Sequence, residues 1–150
     1  MKDIRLSVIE LLKEGNCTPR ISKLAAKLHS HATTVHYNIK QLEKDGTVVA
    51  YKAVFDYKKI GEGFCSYVLI NLTSDEYGDP ERIARELAKH PSVESVDIIT
   101  GEWEMLVKVR SQSIEQYYEL ARTLLSIKGI GRTHTLNSLK QLKTEFVPIK

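Results

Sequence analysis

The sequence contains little cysteine and no long apolar run, and these two shortages exclude several classes of protein. Its two cysteines, Cys17 and Cys65, lie far apart and match no zinc or redox spacing, so we interpret both as reduced thiols. No apolar stretch approaches the roughly 20 residues that a membrane-spanning helix needs, and no charged-then-apolar signal segment opens the chain. We therefore expect a cytoplasmic protein.

Motifs of catalysis are also missing. The sequence has no Walker loop, no nucleophile elbow and no dinucleotide fingerprint. His29 and His31 lie on either side of a predicted turn, and no acidic or thiol ligand accompanies them or His36. Glu102 and Glu104 have the spacing of two carboxylates on one strand face, but a salt bridge or a ligand contact explains them without catalysis. We expect no enzymatic activity, no metal and no bound cofactor.

Positive charge is concentrated in the first third of the chain. Residues 1–50 contain eight Lys and Arg against five Asp and Glu, a net charge of +3, whereas residues 51–150 contain fourteen of each. The content of 42% hydrophobic and 27% charged residues is that of a globular protein. A basic part joined to a neutral part favours a division of roles, in which the first part binds a polyanion.

Apolar residues at helical spacing predict three short helices in residues 1–50. Ile4, Val8 and Leu11 form one face of the first helix, and "RISKLAAKLH" forms the second. The third helix begins after Ser30, whose hydroxyl is expected to cap it. Because only about three residues separate the second and third helices, they form a helix-turn-helix, and the first helix completes its core.

The third helix, within "SHATTVHYNIKQLEKDGTV", has an apolar and a polar face. Val35, Ile39 and Leu42 form the apolar stripe, while the other face carries groups that hydrogen bond to bases and phosphates. In a helix-turn-helix this helix lies in the DNA major groove. An ordinary solvated face of a helical bundle is the alternative. The predicted DNA-binding residues are Ser30, His31, Thr33, Thr34, His36, Tyr37, Lys40 and Gln41.

From Thr47 onward the pattern changes to that of strands. "TVVAYKAVFDY" predicts a connecting strand, and "KKIGEG" predicts a boundary near residues 57–63. Six elements follow in the order strand, helix, strand, strand, helix, strand. Ala84-Arg85 recurs 37 residues later as Ala121-Arg122. The sequence therefore predicts an α+β fold, in which a winged-helix-like helix-turn-helix domain precedes a ferredoxin-like βαββαβ domain.

The predicted domain organisation leaves one sheet face without a cover. Residues 1–50 form the helix-turn-helix domain, 51–63 a connecting strand and linker, 64–144 the effector-binding and oligomerisation domain, and 145–150 a C-terminal tail. The strand "FCSYVLINLT" is apolar on both faces, although helices cover only one. A second copy of the chain is the economical partner, and a homodimer suits a palindromic DNA operator.

Three stretches carry a resemblance to a known family. "LAAKLHSHATTVHYNIKQLEKDGTV" is similar to its helix-turn-helix, "YKAVFDYKKIG" to its connecting strand, and "HPSVESVDIITGEWEMLVKV" with "IKGIGRTHT" to its ligand-sensing domain. The combination resembles the Lrp/AsnC family, the leucine-responsive or feast/famine transcription regulators of bacteria and archaea. The resemblance implies sequence-specific DNA binding, dimers that assemble into larger discs, often octamers, and an amino acid bound between dimers. His31, His36 and Tyr37 depart from the family's typical recognition helix.

The effector hairpin of the family often reads Gly-Asp-aromatic-Asp, where this chain reads "GEWE". At a tight hairpin, exposed backbone N–H groups suit the carboxylate of an amino acid, acidic side chains suit an ammonium, and an aromatic ring covers an aliphatic chain or stacks on a cation. The predicted effector-binding residues are Gly101, Glu102, Trp103, Glu104, Thr133 and Thr135. The two glutamates favour a polar or basic amino acid over leucine. Two alternatives stay open: a tryptophan that is simply core, and a small-molecule-sensing ferredoxin-like oligomer without specific DNA targets.

Overall fold

The computed structural model describes residues 3–76, 79–145 and 147–148. The chain divides into two compact units, Met1–Val54 and Phe55–Lys150. The division falls inside the segment 51–63 that was predicted to connect two domains. Among the described residues, no helix is both long enough and apolar enough to cross a bilayer.

The first unit contains three helices: α1 (Arg5–Lys13), α2 (Ile21–Lys27) and α3 (Ala32–Lys44). Helices α2 and α3 pack together through Ala25 and Val35, the buried residues among those described in this unit. His29 ends α2 with a left-handed backbone (φ +49°), and the N–H of Ser30 then donates to the carbonyl of Ala25. This tight reversal forms the turn of a helix-turn-helix.

Two details of the first unit differ from the prediction. His31, and not Ser30, precedes α3 as its N-cap, and no side chain caps the helix, because the backbone of Ser30 is used to close α2. Helix α1 buries none of its residues, and Ile4 and Leu11 are 56% and 52% exposed. The expectation that α1 completes the core is therefore wrong for the single chain.

The connecting strand predicted within residues 51–63 is not formed. Residues 48–56 belong to no helix or strand, and no strand is present among the described residues of the first unit. A β-rich segment becomes a strand only when another strand supplies hydrogen bonds. The single chain offers no such partner here, so the wing of a winged helix is also absent from residues 3–54.

The second unit has the predicted βαββαβ order. Its elements are β1 (Phe64–Leu72), a 3₁₀ turn (Ser74–Glu76), α4 (Pro80–Ala88), β2 (Val93–Ile98), β3 (Met105–Ser111), α5 (Ile114–Leu124) and β4 (Ile130–Asn137). Four antiparallel strands lie in the order β2-β3-β1-β4, which is the ferredoxin-like arrangement. The stretch "IGRTHTLNSLKQLKTE" reads as one last strand in the sequence, but β4 ends at Asn137. The expected tail also contains structure, since β5 (Lys143–Thr144) pairs with β6 (Val147–Pro148).

Helices α4 and α5 contribute equivalent residues to one core, as the 37-residue repeat predicted. Leu87 of α4 and Leu124 of α5 are 1% and 5% exposed. A side chain caps the start of each helix. The Asp79 side chain accepts a hydrogen bond from the backbone N–H of Arg82, and the Ser113 hydroxyl accepts one from the backbone N–H of Gln116. The core lies between these helices and one face of the sheet, where the largest fully buried side chains include Ile70, Ile83, Met105 and Val107.

The opposite face of the sheet carries no helix. Because paired residues of antiparallel strands share a face, Leu69 lies beside Leu106 and His134 on this open face, while Val68 belongs to the helix-covered core. Val68 is 3% exposed, whereas Leu69 is half-buried. The prediction that β1 is apolar on both sides is confirmed, and Leu69 faces away from the helices.

One end of the open face holds a buried charge cluster. The carboxylate of Glu94 accepts from Nζ of Lys108 at 2.8 Å and from Nε of Arg110 at 2.6 Å. Tyr57 covers the Arg110 guanidinium at 3.8 Å. Burial by itself would raise the pKa of Glu94, but the hydrogen bonds from Lys108 and Arg110 outweigh burial and hold this pKa below its ordinary value. The carboxylate is therefore charged at neutral pH.

Candidate nucleic-acid interface and effector site

Helix α3 exposes every side chain that was predicted to contact DNA. Val35 points from α3 into the contact with α2, so the residues on the opposite side of α3 point outward. Tyr37 is 64% exposed. The exposed set comprises Ser30 and His31 in the turn and Thr33, Thr34, His36, Tyr37, Lys40 and Gln41 in the helix. The structure thus gathers hydroxyl, imidazole, phenol, amide and ammonium groups on one accessible helical surface.

Lys40 carries a counterion on the same helix. Its Nζ lies 2.7 Å from Oε2 of Glu43, whose other oxygen accepts from the Tyr51 hydroxyl at 3.1 Å. The hydrogen bond to Glu43 raises the pKa of Lys40, and the same contact lowers the pKa of Glu43. Both groups are therefore ionised at neutral pH, and a DNA phosphate would compete with Glu43 for the lysine.

Sequence reasoning missed a basic row on α2. Arg20, Lys23 and Lys27 surround a shallow depression of about 260 Å³, which Pro19 and Leu24 line. The first helix of a helix-turn-helix crosses the DNA backbone, and cations in this position neutralise phosphates. The spacing of three and four residues between the three cations is the signal that could have found this row.

The predicted effector hairpin joins β2 to β3 through a wider loop than expected. The N–H of Ile99 donates to the carbonyl of Glu104 at 2.9 Å, and four residues lie between them. Gly101 is exposed and has φ +121°, a backbone conformation that strongly favours glycine. A Cβ atom at Gly101 would meet no other atom within 4 Å. Backbone conformation, and not crowding, therefore requires glycine here.

Glu104 holds the hairpin against β1. Its Oε2 accepts from the side-chain amide of Asn71 and from the backbone N–H of Leu72, both at 2.9 Å. The same Asn71 amide donates to the carbonyl of Glu102 at 2.7 Å. The Glu104 carboxylate therefore already has two donors of this chain, and its first role is to fix the shape of the loop.

The guanidinium of Arg132 lies beside both the Glu102 carboxylate and the Trp103 ring. Its Nη2 donates to Oε1 of Glu102 at 2.7 Å, and its Nε donates to Oδ1 of Asn71 at 3.3 Å. The guanidinium carbon lies 4.5 Å from the centre of the Trp103 ring. Trp103 also stacks on His134, with ring centres 6.1 Å apart. These five side chains and Glu104 form one network at the end of the sheet, which we call the hairpin network.

Thr133 and Thr135 share a face, as predicted, but not the face of the hairpin network. They pair with Ile70 and Val68 on the helix-covered side of the sheet. The Thr135 hydroxyl is hydrogen bonded to the Tyr117 hydroxyl of α5 at 2.7 Å. The alternate residues of β4 point the other way, so the structure brings Arg132 and His134, and not the two threonines, to Trp103. The prediction that Thr133 and Thr135 share a site with Trp103 is therefore corrected: both lie on the other face of the sheet.

The sequence contained only a weak signal for these missed residues. Strand register decides which alternate set of β4 faces the hairpin, and a shift of one residue exchanges the two sets. The register between β1 and β4 is irregular between Ile70 and Leu72, beside the closely packed Gly131. This irregularity could not be read from alternation in "IGRTHTLN".

Among the described residues, no group of three or more His, Cys, Asp or Glu could hold a metal ion.

Comparison with known families also divides the chain into two parts, with a boundary about ten residues later than the one between the two structural units. The family described as "Lrp/AsnC ligand binding domain" matches residues 65–148, which is more than half of the chain. Residues 1–61 match the N-terminal domain of the methanogenesis regulatory protein FilR1. The hairpin network lies within the first match, and α3 lies within the second.

Two relatives from Pyrococcus furiosus are similar over nearly the whole chain. One is an uncharacterised HTH-type transcriptional regulator, 36% identical over 93% of this chain and 93% of its own length. The other is the HTH-type transcriptional regulator FL11, 30% identical over 100% of this chain and 97% of its own length. Both domains of this chain are therefore present in these regulators in the same order.

Solved structures with the same fold include family regulators from two bacteria. An AsnC family transcriptional regulator from Agrobacterium tumefaciens has a TM-score of 0.75 at 20% identity and covers 96% of this chain and 94% of its own. A feast or famine regulatory protein from M. tuberculosis, complexed with L-methionine, has a TM-score of 0.74 at 23% identity and covers 96% of both chains. The matched domain, the relatives and the shared fold together establish that the chain is a member of the Lrp/AsnC family of HTH-type transcriptional regulators.

Proposed function

We propose that this regulator binds specific double-stranded DNA by placing α3 in the major groove. The observation that carries the proposal is the polar, exposed face of α3 on the more basic of the two units. Residues 1–54 contain nine Lys and Arg against five Asp and Glu, a net charge of +4, whereas residues 55–150 contain thirteen against fourteen, a net charge of −1. Lys40 and the α2 row would meet phosphates, while Thr33, Thr34, His36, Tyr37 and Gln41 would reach bases.

The hairpin network is the proposed site for an amino acid effector. A transcriptional regulator from Neisseria meningitidis and the M. tuberculosis protein were both solved with L-methionine, which supports this class of ligand. The network offers an acidic group in Glu102, a cation in Arg132 and the apolar ring of Trp103. A zwitterionic amino acid presents complementary groups, an ammonium and a carboxylate. The residues assigned to the effector are therefore Gly101, Glu102, Trp103, Asn71, Arg132 and His134, with Glu104 holding the loop.

We infer that the chain acts as a homodimer, which assembles further towards an octamer, and that its operator is palindromic. Two apolar surfaces support self-association. Helix α1 leaves Val8 and Leu11 exposed along one face, with Ile4 exposed just before it, and the sheet leaves Leu69 on a face without helices. Apolar faces of this kind are covered in folded proteins by another surface, and two-fold symmetry provides the same surface twice.

The proposal assigns no catalytic role to any residue. Glu102 and Glu104, the one carboxylate pair considered for catalysis, are engaged by Arg132 and by Asn71 with Leu72. A role on DNA places the protein in the cytoplasm. The competing proposal, a ferredoxin-like small-molecule sensor without specific DNA targets, requires that α3 contact no DNA.

A footprint on the DNA just upstream of this protein's own gene tests the DNA-binding proposal, with and without pooled amino acids. We expect a protected, two-fold symmetric site, whose occupancy changes when amino acids are added. A thermal-shift screen of the twenty amino acids tests the effector proposal, since a ligand that binds the folded state stabilises it by an amount that grows with its concentration relative to Kd. Ligand binding without any selective retention on DNA would favour the sensor. Absence of a shift from all twenty would refute an amino acid effector.

A further inference from the structure

Arg132 occupies the position that a cationic ligand would need. It donates to Glu102 at 2.7 Å, lies 4.5 Å from the centre of the Trp103 ring and reaches Asn71 at 3.3 Å. A lysine or arginine side chain in this site would seek the same carboxylate and the same ring face. The chain therefore supplies from its own β4 the group that a basic effector would otherwise bring.

The second carboxylate does not offer an alternative position. Oε2 of Glu104 accepts from the Leu72 N–H and from the Asn71 amide at 2.9 Å each, and the loop would have to open before this oxygen could accept from a ligand. His134 stacks on the Trp103 ring, with ring centres 6.1 Å apart, and so lies beside the same network. A basic ligand would thus be placed beside one guanidinium and one imidazole.

We propose that Arg132 is a specificity-determining residue of the hairpin network, where it excludes lysine and arginine and selects amino acids with neutral or acidic side chains. The inference rests on the proposed effector role of this site. A ligand carboxylate would pair with Arg132, and its ammonium would pair with Glu102, so the existing ion pair separates around the zwitterion. Basic side chains gain nothing from this exchange, because their additional charge faces Arg132. The sequence favoured a polar or basic amino acid over leucine, and this selectivity removes the basic ones from that set.

The single tryptophan makes the proposal directly measurable. Trp103 is the only tryptophan of the chain, so tryptophan emission, excited at wavelengths beyond the absorption of the seven tyrosines, reports the surroundings of this ring. We would titrate L-lysine, L-arginine, L-methionine, L-leucine and L-glutamate into wild type, Arg132→Ala, Arg132→Lys and Arg122→Ala. Arg122 is a matched control, since its side chain is 68% exposed against 62% for Arg132 and also pairs with a glutamate, but on α5.

In Arg132→Ala, Glu102 and the ring of Trp103 become accessible to an external cation. We expect lysine and arginine to change the Trp103 emission at concentrations at least about fivefold lower than in wild type, the factor that about 1 kcal/mol for an exposed ion pair would give. Arg132→Lys retains a cation and should require concentrations of lysine and arginine as high as the wild type does. Arg122→Ala should respond as wild type does.

Each other outcome has a defined meaning. A wild-type response to lysine or arginine that equals that of Arg132→Ala would overturn the role of Arg132. So would a folded Arg132→Ala protein, verified by circular dichroism, that gains no response to them. If no amino acid affects the wild type but arginine affects Arg132→Ala, amino acid sensing fails while the exclusion by Arg132 stands. If neither protein responds to any amino acid, both proposals fail.

Discussion

Nζ of Lys40 lies 2.7 Å from Oε2 of Glu43, so the helix proposed to enter the DNA groove carries a negative charge beside its central lysine. The pair is on the surface, with side chains 58% and 29% exposed, and Tyr51 holds the second glutamate oxygen. A phosphate would therefore bind Lys40 against repulsion from Glu43. Affinity for DNA should depend on both residues, in opposite directions.

Replacing Glu43 by Gln should strengthen binding to all DNA sequences about equally. Glutamine retains an acceptor for Tyr51 but removes the charge that repels phosphate. Lys40→Ala should weaken binding to all sequences and reduce the slope of log affinity against log salt by about one. Filter binding or fluorescence anisotropy at several salt concentrations measures both effects. Lys89→Ala, an exposed lysine of the second unit, is the control and should change neither quantity.

Thr34→Ala and Tyr37→Ala should affect particular base pairs rather than overall affinity. Both side chains are exposed on α3, and the Asn38 amide bonds the backbone carbonyl of Thr34, so this contact survives the change to alanine. Loss of one direct base contact costs about 1–3 kcal/mol at the contacted position. Selection of bound sequences from a randomised operator would show it. Unchanged preference in both variants, together with unchanged salt dependence in Lys40→Ala, would remove α3 from the groove.

Leu69→Lys should lower the oligomeric state, whereas Val68→Lys should unfold the second unit. Leu69 lies on the open sheet face, where a lysine remains solvated in a monomer but is buried in a dimer. Val68 is 3% exposed in the helix-covered core, where an unpaired charge costs several kcal/mol. Light scattering and circular dichroism distinguish the two results. A wild type that is monomeric at 17.1 kDa under micromolar conditions would contradict the premise.

Glu94→Gln should destabilise the second unit at neutral pH by about 3 kcal/mol, because it leaves Lys108 and Arg110 without their buried counterion. The pKa of folded Glu94 is lower than its ordinary value of 4.5, so its stabilisation is complete above about that pH. The contribution is lost as the pH falls through the lowered pKa, and the difference from wild type should disappear there. Urea unfolding at pH 7 and at low pH measures this. A difference that persists unchanged in acid would contradict the assigned role, and Glu119→Gln, an exposed glutamate, is the control.

Gly101→Asp should abolish any thermal shift that an amino acid produces, while DNA binding remains measurable. The effect would arise from φ +121°, which side-chain-bearing residues rarely adopt, and from a third negative charge beside Glu102 and Glu104. Gly101→Asn imposes the same backbone strain without the charge and separates the two causes. A full thermal shift in Gly101→Asp would place the ligand away from this loop.

Local residue choice determined most of the helices and strands. Asp79 and Ser113 cap their helices as side chains of these types do, and the repeat of "AR" with a leucine after 37 residues placed α4 and α5 equivalently. These signals are short-range, so an isolated stretch of sequence contains them fully. The strand expected within residues 51–63 failed because its hydrogen bonds depend on another strand, which sequence alternation alone cannot supply.

The sequence alone determined which residue types the candidate sites contain, but the fold decided which of these side chains contact one another. The amphipathic pattern around Val35 sufficed to predict that the α3 residues proposed to contact DNA point outward, because a helix has one period and one inner stripe. At the hairpin, the choice between Thr133 with Thr135 and Arg132 with His134 depended on strand register, since a shift of one residue reverses a strand's faces. Only the tertiary structure placed Arg132 between Glu102 and Trp103, and thereby changed an apparently acidic site into one that already contains its cation.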